Sequence, residues 1–219
     1  MKFLLKGNNT FLGDEIISQC TADPSIIFTS LPLRNVSDIE ETHSWGLQHQ
    51  KLVEIFTEVE GLIWVLPHDA GESSNSVMLD SASVFDTFLR EIAPILEKRP
   101  TKGFRVVLCA GWECDRNVPH SLFIKEDADE LKKQVMSPLS ATLSQHRGVF
   151  ELSVVRPLGI IPRGSSQFFN IAARIPDISV QEVAGLAIER AKNGVPGKKV
   201  QGGEESMSKA EEKKLLVER

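Results

Sequence analysis

The 219-residue chain contains no tyrosine. No phenol is therefore available as a proton donor or acceptor in any reaction it supports. Cysteine is scarce: Cys20, Cys109 and Cys114 make an odd number, and the opening MKFLLKGNN has too short an apolar segment for a secretory signal. Reduced thiols are expected rather than a disulfide framework. Cys109 and Cys114 lack the CxxC spacing and neighbouring histidines of a zinc site, so no metal is expected. No apolar run approaches the roughly 20 residues of a membrane-spanning helix. Cations are not in excess either. Lys and Arg number 25 against 30 Asp and Glu, a net charge of −5, and no cationic stripe interleaved with aromatics offers a face to a phosphodiester backbone. The expected partner is a small-molecule ligand, with no nucleic acid and no membrane, and the expected location is cytoplasmic.

What is present is 41% hydrophobic residues, enough for one substantial core. The expected organisation is a single domain over 1–203, with small substrate-side elements at about 160–197 and a charged tail over 204–219. Short apolar runs alternate with longer helical patterns. KFLLK (Lys2 to Lys6), SIIFTS (Ser25 to Ser30), GLIWVL (Gly61 to Leu66), FRVVLCA (Phe104 to Ala110) and FELSVVR (Phe150 to Arg156) read as strands, the second as a buried one. A last short strand is expected around Lys198 to Gln201. Apolar residues at helical spacing predict helices over Phe11 to Cys20, Ser44 to Glu58, Val77 to Lys98 and Asp127 to Gln145, with Pro94 and Pro138 expected to disturb the last two. Ser179-Val-Gln-Glu182 is a capping box that opens a helix through Ala191. Strands alternating with helices of this length predict an α/β fold: a Rossmann-like doubly wound parallel sheet with helices on both faces. Ligands of such sheets lie beyond the carboxyl ends of the strands, so the loops that follow strands carry the candidate chemistry.

Taken in order, those loops resemble the short-chain dehydrogenase/reductase superfamily, in its extended or atypical branches of the NmrA-like or epimerase-like kind. Lys6-Gly7-Asn8-Asn9-Thr10-Phe11-Leu12-Gly13 is similar to the family's opening TGxxGF(I/L)G between strand and helix. Val154-Val155-Arg156-Pro157-Leu158-Gly159 resembles its "RPgxvyG" segment, and Ile178 to Ala184 its "isveDvA" helix. The resemblance implies a cofactor cleft lined by Gly7, Asn9, Thr10, Phe11, Leu12, Arg34, Pro67 and Pro157. It also implies a homodimer through the helices Val77 to Lys98 and Asp127 to Gln145.

The departures are as ordered as the matches. The family's YxxxK dyad falls on the helix that here reads Ala128-Asp129-Glu130-Leu131-Lys132-Lys133, with a lysine in place and no tyrosine. Lys133 is either a solvated helix lysine or the remnant of a proton-transfer pair. Thr10 stands where the turn's middle glycine allows close approach to a pyrophosphate, although its hydroxyl could donate to a phosphate oxygen. No carboxylate ends the second strand to bind a ribose, and Arg34 lies just beyond it. Arg34 is either a surface arginine or a partner for a 2′-phosphate, so the choice stands between NADP(H) and no cofactor.

Other candidates lie in the loops. His68, after GLIWVL, is a general acid or base or a loop histidine bonded to backbone. Trp112 could wall a flat ligand, and Glu113 and Asp115 could handle protons. Cys109 reads as a core residue, and His43, His49 and His146 as surface residues. Three functional readings follow. The first is non-redox chemistry on a small hydrophobic metabolite (isomerisation, cyclisation or dehydration) in an NADP(H)-type cleft. The second is a catalytically inactive cofactor-sensing or scaffold protein, and the third an NADPH-dependent reductase with a substitute acid.

Overall fold

The first strand already holds the logic of the sheet. Phe3, Leu4 and Leu5 of KFLLK are all buried, on both faces at once, which a parallel sheet covered on both sides requires. The computed structural model describes residues 1–7, 10–31, 53–66, 74–100, 103–109, 122–155, 160–161, 178–194 and 205–206, with backbone alone at 74–78, 122–132, 160–161, 178 and 205–206. Its elements are β1 (Lys2–Lys6), α1 (Phe11–Ala22), β2 (Ile27–Ser30), a short helix α2 (53–58), β3 (Gly61–Val65), α3 (Ser74–Glu97), β4 (Phe104–Cys109), α4 (Leu122–Gln145), β5 (Phe150–Val155), β6 (Ile160–Ile161), β7 (Ile178–Ser179), α5 (Val180–Asn193) and β8 (Glu205–Ser206).

Six strands form one parallel sheet in the order β2-β1-β3-β4-β5-β8. The chain runs outward from β1 to β2, then crosses back to lay β3 on the other side of β1, so the order reverses between β1 and β3. That reversal opens a crevice at the carboxyl edge of the sheet. The two-residue side-chain period splits the core in two. Leu4, Leu62, Trp64, Val106, Leu108, Leu152 and Val154 face α3, α4 and Phe56 of α2. Phe3, Leu5, Ile63, Val65, Val107, Cys109 and Val155 face α1 and α5. Helices thus cover both faces, as the alternation predicts.

Two expectations change, and two short strand pairings are additions to the expected set. β2 is not buried: Ile27 is 55% exposed, because the strand sits at the edge and pairs with β1 alone among the described residues. Pro94 and Pro138 interrupt nothing, since α3 and α4 each run 24 residues through their proline and forgo only the bond its nitrogen cannot donate. The strand beside β5 is Glu205–Ser206, within the expected tail, whereas Lys198 to Gln201 lies outside the described residues. β6 and β7 form a small second parallel pair that the sequence patterns did not suggest.

α5 begins on its capping box, with Ser179 Oγ accepting from the Glu182 amide at 3.2 Å and the Glu182 carboxylate accepting from the Ser179 amide at 2.9 Å. It packs Val180, Val183, Ala184, Ala187 and Ala191 against the α1 side of the sheet. Side chains tie the two helices at both ends. Gln19 Nε2 donates to the Gln181 carbonyl at 2.9 Å, and Lys192 Nζ donates to Asp23 Oδ2 at 2.7 Å. On the opposite face, Trp64 is fully buried between Phe85 and Phe88, at ring distances of 4.9 and 5.7 Å, and its indole N–H finds no acceptor among the described residues.

Candidate functional site

The crevice between β1 and β3 is bounded by the turn that leaves β1. Gly7 has φ +95°, and a Cβ there would stand 2.6 Å from the Val65 carbonyl oxygen and 2.8 Å from Val65 Cβ. Only glycine lets the chain pass over the end of β3 this closely. At Gly13 a Cβ would meet the Gly7 carbonyl oxygen at 2.0 Å, so its absence lets α1 start against the turn. These are the first and last glycine roles of a dinucleotide turn: tight reversal, and close packing of helix on strand.

The middle position works differently. Thr10 has φ −104° and ψ 153°, an extended conformation open to any residue, and it is the N-cap of α1. Its Oγ1 accepts from the Gly13 amide at 3.0 Å and donates its proton to the Gly7 carbonyl at 2.6 Å. Its own amide bonds Gly7 O at 3.0 Å, and its carbonyl takes the Asp14 amide at 2.9 Å. Of the first-turn donors, only the amides of Phe11 and Leu12 are left without an acceptor among the described residues. The Phe11 side chain is 46% exposed at the mouth of the turn and Leu12 is buried behind it.

A pyrophosphate against a helix N-terminus needs open first-turn amides and room beside the capping residue. Here the cap is internal. The Gly13 amide is taken, the hydroxyl proton is given away, and a β-branched side chain stands where a glycine would leave space. The Phe11 and Leu12 amides are then the first-turn donors that a phosphate would meet. In this arrangement the one proton of the Thr10 hydroxyl goes to the Gly7 carbonyl. The sequence did carry the signal, since a threonine directly before a helical stripe is an N-cap mark.

The other candidates divide simply. Gly7, Thr10, Phe11 and Leu12 come together in one turn. Lys133 stands exposed on α4, two residues before the buried Val135, and two residues on a helix turn it by about 200° away from that side chain. Asn9, Arg34, Pro67, His68, Trp112, Glu113, Asp115 and Pro157 lie outside the described residues, as do His43, His49 and Cys114. Cys109 is buried at the end of β4, and desolvation pushes its thiol up to about 12, which keeps it protonated and inert at neutral pH. His146 corrects its surface reading: only 15% of its side chain is exposed, and its Nδ1 lies 3.0 Å from Glu97 Oε1.

One polar cluster escaped the sequence reading. Asp86 on α3 and Thr142 on α4 are buried where the helices pack, with Thr142 Oγ1 donating to Asp86 Oδ1 at 2.6 Å. Arg90 closes the set by donating from Nε to Thr142 Oγ1 at 3.0 Å and from Nη2 to Asp86 Oδ2. The i, i+4 spacing of Asp86 and Arg90 was visible; their partner 52 residues beyond Arg90 was not. Among the described residues no group of three or more His, Cys, Asp or Glu could hold a metal, and no helix is long and apolar enough to cross a membrane.

No family model matches the chain, and no curated protein matches it. Solved structures do. A protein from Listeria innocua is 14% identical with a TM-score of 0.55 over 94% of this chain and 98% of its own. A short chain dehydrogenase from Burkholderia cenocepacia in complex with NADP is 13% identical, with a TM-score of 0.54 over 94% of this chain and 95% of its own. A UDP-N-acetylglucosamine 4-epimerase from Bacillus cereus is 8% identical, with a TM-score of 0.53 over 94% of this chain and 76% of its own. At these identities the likeness establishes architecture alone: the chain shares a Rossmann-like α/β fold with these structures.

Proposed function

We propose that this chain has repurposed an NADP(H)-type cleft to act on a small hydrophobic metabolite by non-redox chemistry: isomerisation, cyclisation or dehydration. The observation that carries the reading is the turn, which keeps its two structural glycines while its middle residue caps the helix from within. The lack of any tyrosine supports it, because a carbonyl reduced at this site would need a phenol or a substitute to protonate its oxygen. Isomerisation and dehydration need only proton movement within a shaped apolar pocket. His68, Glu113 and Asp115 are the candidates for that work, and Trp112 for a wall against a flat ligand.

The test is to incubate the protein with NADPH and a panel of small hydrophobic enones, ketones and hydroxyketones, following products by mass spectrometry and NADPH by absorbance. Product without NADPH loss supports the reading. NADPH oxidised in step with product would overturn it in favour of a reductase using a substitute acid such as His68. A second reading, a catalytically inactive regulator or scaffold, is favoured by the self-satisfied bonding of the turn. Binding of a panel member without turnover would select it.

A further inference from the structure

We propose that the Thr10 hydroxyl is a built-in substitute for a phosphate oxygen, and that this one side chain closes the turn to dinucleotides. The start of a helix leaves amides that must find acceptors, and either a capping side chain or a bound anion can supply them. In this turn the side chain does so: Thr10 Oγ1 lies 3.0 Å from the Gly13 amide nitrogen. The same oxygen is anchored from behind, because it donates to the Gly7 carbonyl at 2.6 Å. Anchored this way, the hydroxyl cannot turn round to greet a phosphate without breaking two bonds. It is held in place by the glycines themselves, since a Cβ on Gly13 would stand 2.9 Å from Oγ1 and 2.0 Å from Gly7 O. The described remainder of the turn keeps a tight reversal at Gly7, a helix of 12 residues behind it, and the amides of Phe11 and Leu12 without an acceptor among the described residues.

The proposal concerns the turn alone and does not depend on which metabolite the cleft takes. Its prediction is a gain of function. Thr10→Gly removes the cap and the branched Cβ together, and glycine is nearly as good an N-cap as threonine, so the fold is retained. Thr10→Ser keeps the hydroxyl and its two bonds. Calorimetric titration of NADPH into the three purified proteins, each checked for native circular dichroism, reads the result directly. Wild type and Thr10→Ser bind NADPH no better than in the millimolar range, and Thr10→Gly binds at least tenfold more tightly. Should Thr10→Gly fail to fold through added backbone freedom, Thr10→Ala removes the hydroxyl without that freedom, at a cost of about 1 kcal/mol for the lost cap, and the same tenfold gain is expected of it. Micromolar binding by wild type would overturn the proposal. So would a folded Thr10→Gly or Thr10→Ala with wild-type affinity, and so would Thr10→Ser binding as tightly as Thr10→Gly, which would make the methyl group and not the hydroxyl the obstacle. The titration reads NADPH binding alone, and product formation by the proposed function is read separately, in reactions without NADPH.

Discussion

Replacing Thr142 by valine tests whether the Asp86–Arg90–Thr142 cluster fastens α3 to α4. Valine nearly matches threonine in shape, so the substitution removes one hydroxyl and leaves the packing. Thr142 is 1% exposed, and the Asp86 side chain 9%, so water cannot replace what is lost. The carboxylate forfeits the bond from Thr142 at 2.6 Å and keeps Arg90, whose side chain is 53% exposed and partly spent on solvent. Removing one partner from a buried bond to a charged group costs about 1.5–3 kcal/mol. For a chain of this size that lowers Tm by roughly 4–8 °C. Urea denaturation should show a lower midpoint with an unchanged m-value, the mark of lost stability and not of an altered denatured state. A second arm sharpens the test. With Asp86→Leu added, no carboxylate is left to strand, and the double variant should recover part of the loss, because replacing both partners by apolar groups is far milder than orphaning one. A Thr142→Val protein within about 0.5 kcal/mol of wild type, the range of ordinary surface substitutions, would refute the reasoning. So would a double variant destabilised by the full sum of the singles.

Trp64→Phe sets two effects against each other: it removes a buried indole N–H that has no acceptor among the described residues, a relief of about 1–3 kcal/mol, and leaves a void that costs a similar amount. Stability within about 1 kcal/mol of wild type is expected by denaturant titration, and a loss beyond about 3 kcal/mol would mean that the N–H has a partner. The Asp23 carboxyl is held well below its usual range, first by the bond from Lys192 and then by those from Ser25. A depressed carboxylate pKa stabilises the fold above the unfolded value of about 3.9, and the contribution fades as pH falls from there toward the folded pKa. Asp23→Asn should therefore lower Tm at pH 7 and show a shallower loss on acidification below about pH 4, and an unchanged acid limb would count against the pair. Cys20 and Cys109, pushed by burial to about 11 and about 12, should resist iodoacetamide at pH 8 in the native protein and react once it is unfolded, as peptide mapping would report. Native labelling at either would contradict their burial.

The sheet was legible because parallel strands buried on both faces read as unbroken apolar runs. KFLLK is the strand it predicts, and GLIWVL, FRVVLCA and FELSVVR each run one residue past the strand they form. The capping box of α5 was equally plain, since Ser179 and Glu182 specify each other across three residues. β2 misled because SIIFTS holds the β-branched Ile26, Ile27 and Thr29 around Phe28, and such a run carries no mark of whether a further strand will shelter it. The prolines misled for a related reason: the penalty is local, whereas the burial of Phe88, Leu89, Ile92 and Leu96 that holds α3 together is not. At the site, the glycines of the turn were readable from motif spacing. The double bond of Thr10 was not, because it depends on where the Gly7 carbonyl and Gly13 amide point after folding. Thr142 was invisible to local pattern altogether, its partners lying 52 and 56 residues away.

The ties between α1 and α5 set a condition on how this protein is made. Gln19 reaches a carbonyl 162 residues downstream, and Asp23 is gripped by a lysine 169 residues downstream. Helix α1 thus waits for α5. Until α5 has left the ribosome, Leu12, Ile16 and Cys20 have no cover on the side it will occupy. Everything made in between is threaded through a half-built sheet with one face open. Contacts this distant slow folding, because the long loop must close before the packing rewards it. A nascent chain arrested before Ser179 should therefore bind apolar probes and chaperones along α1, and release them only when α5 docks.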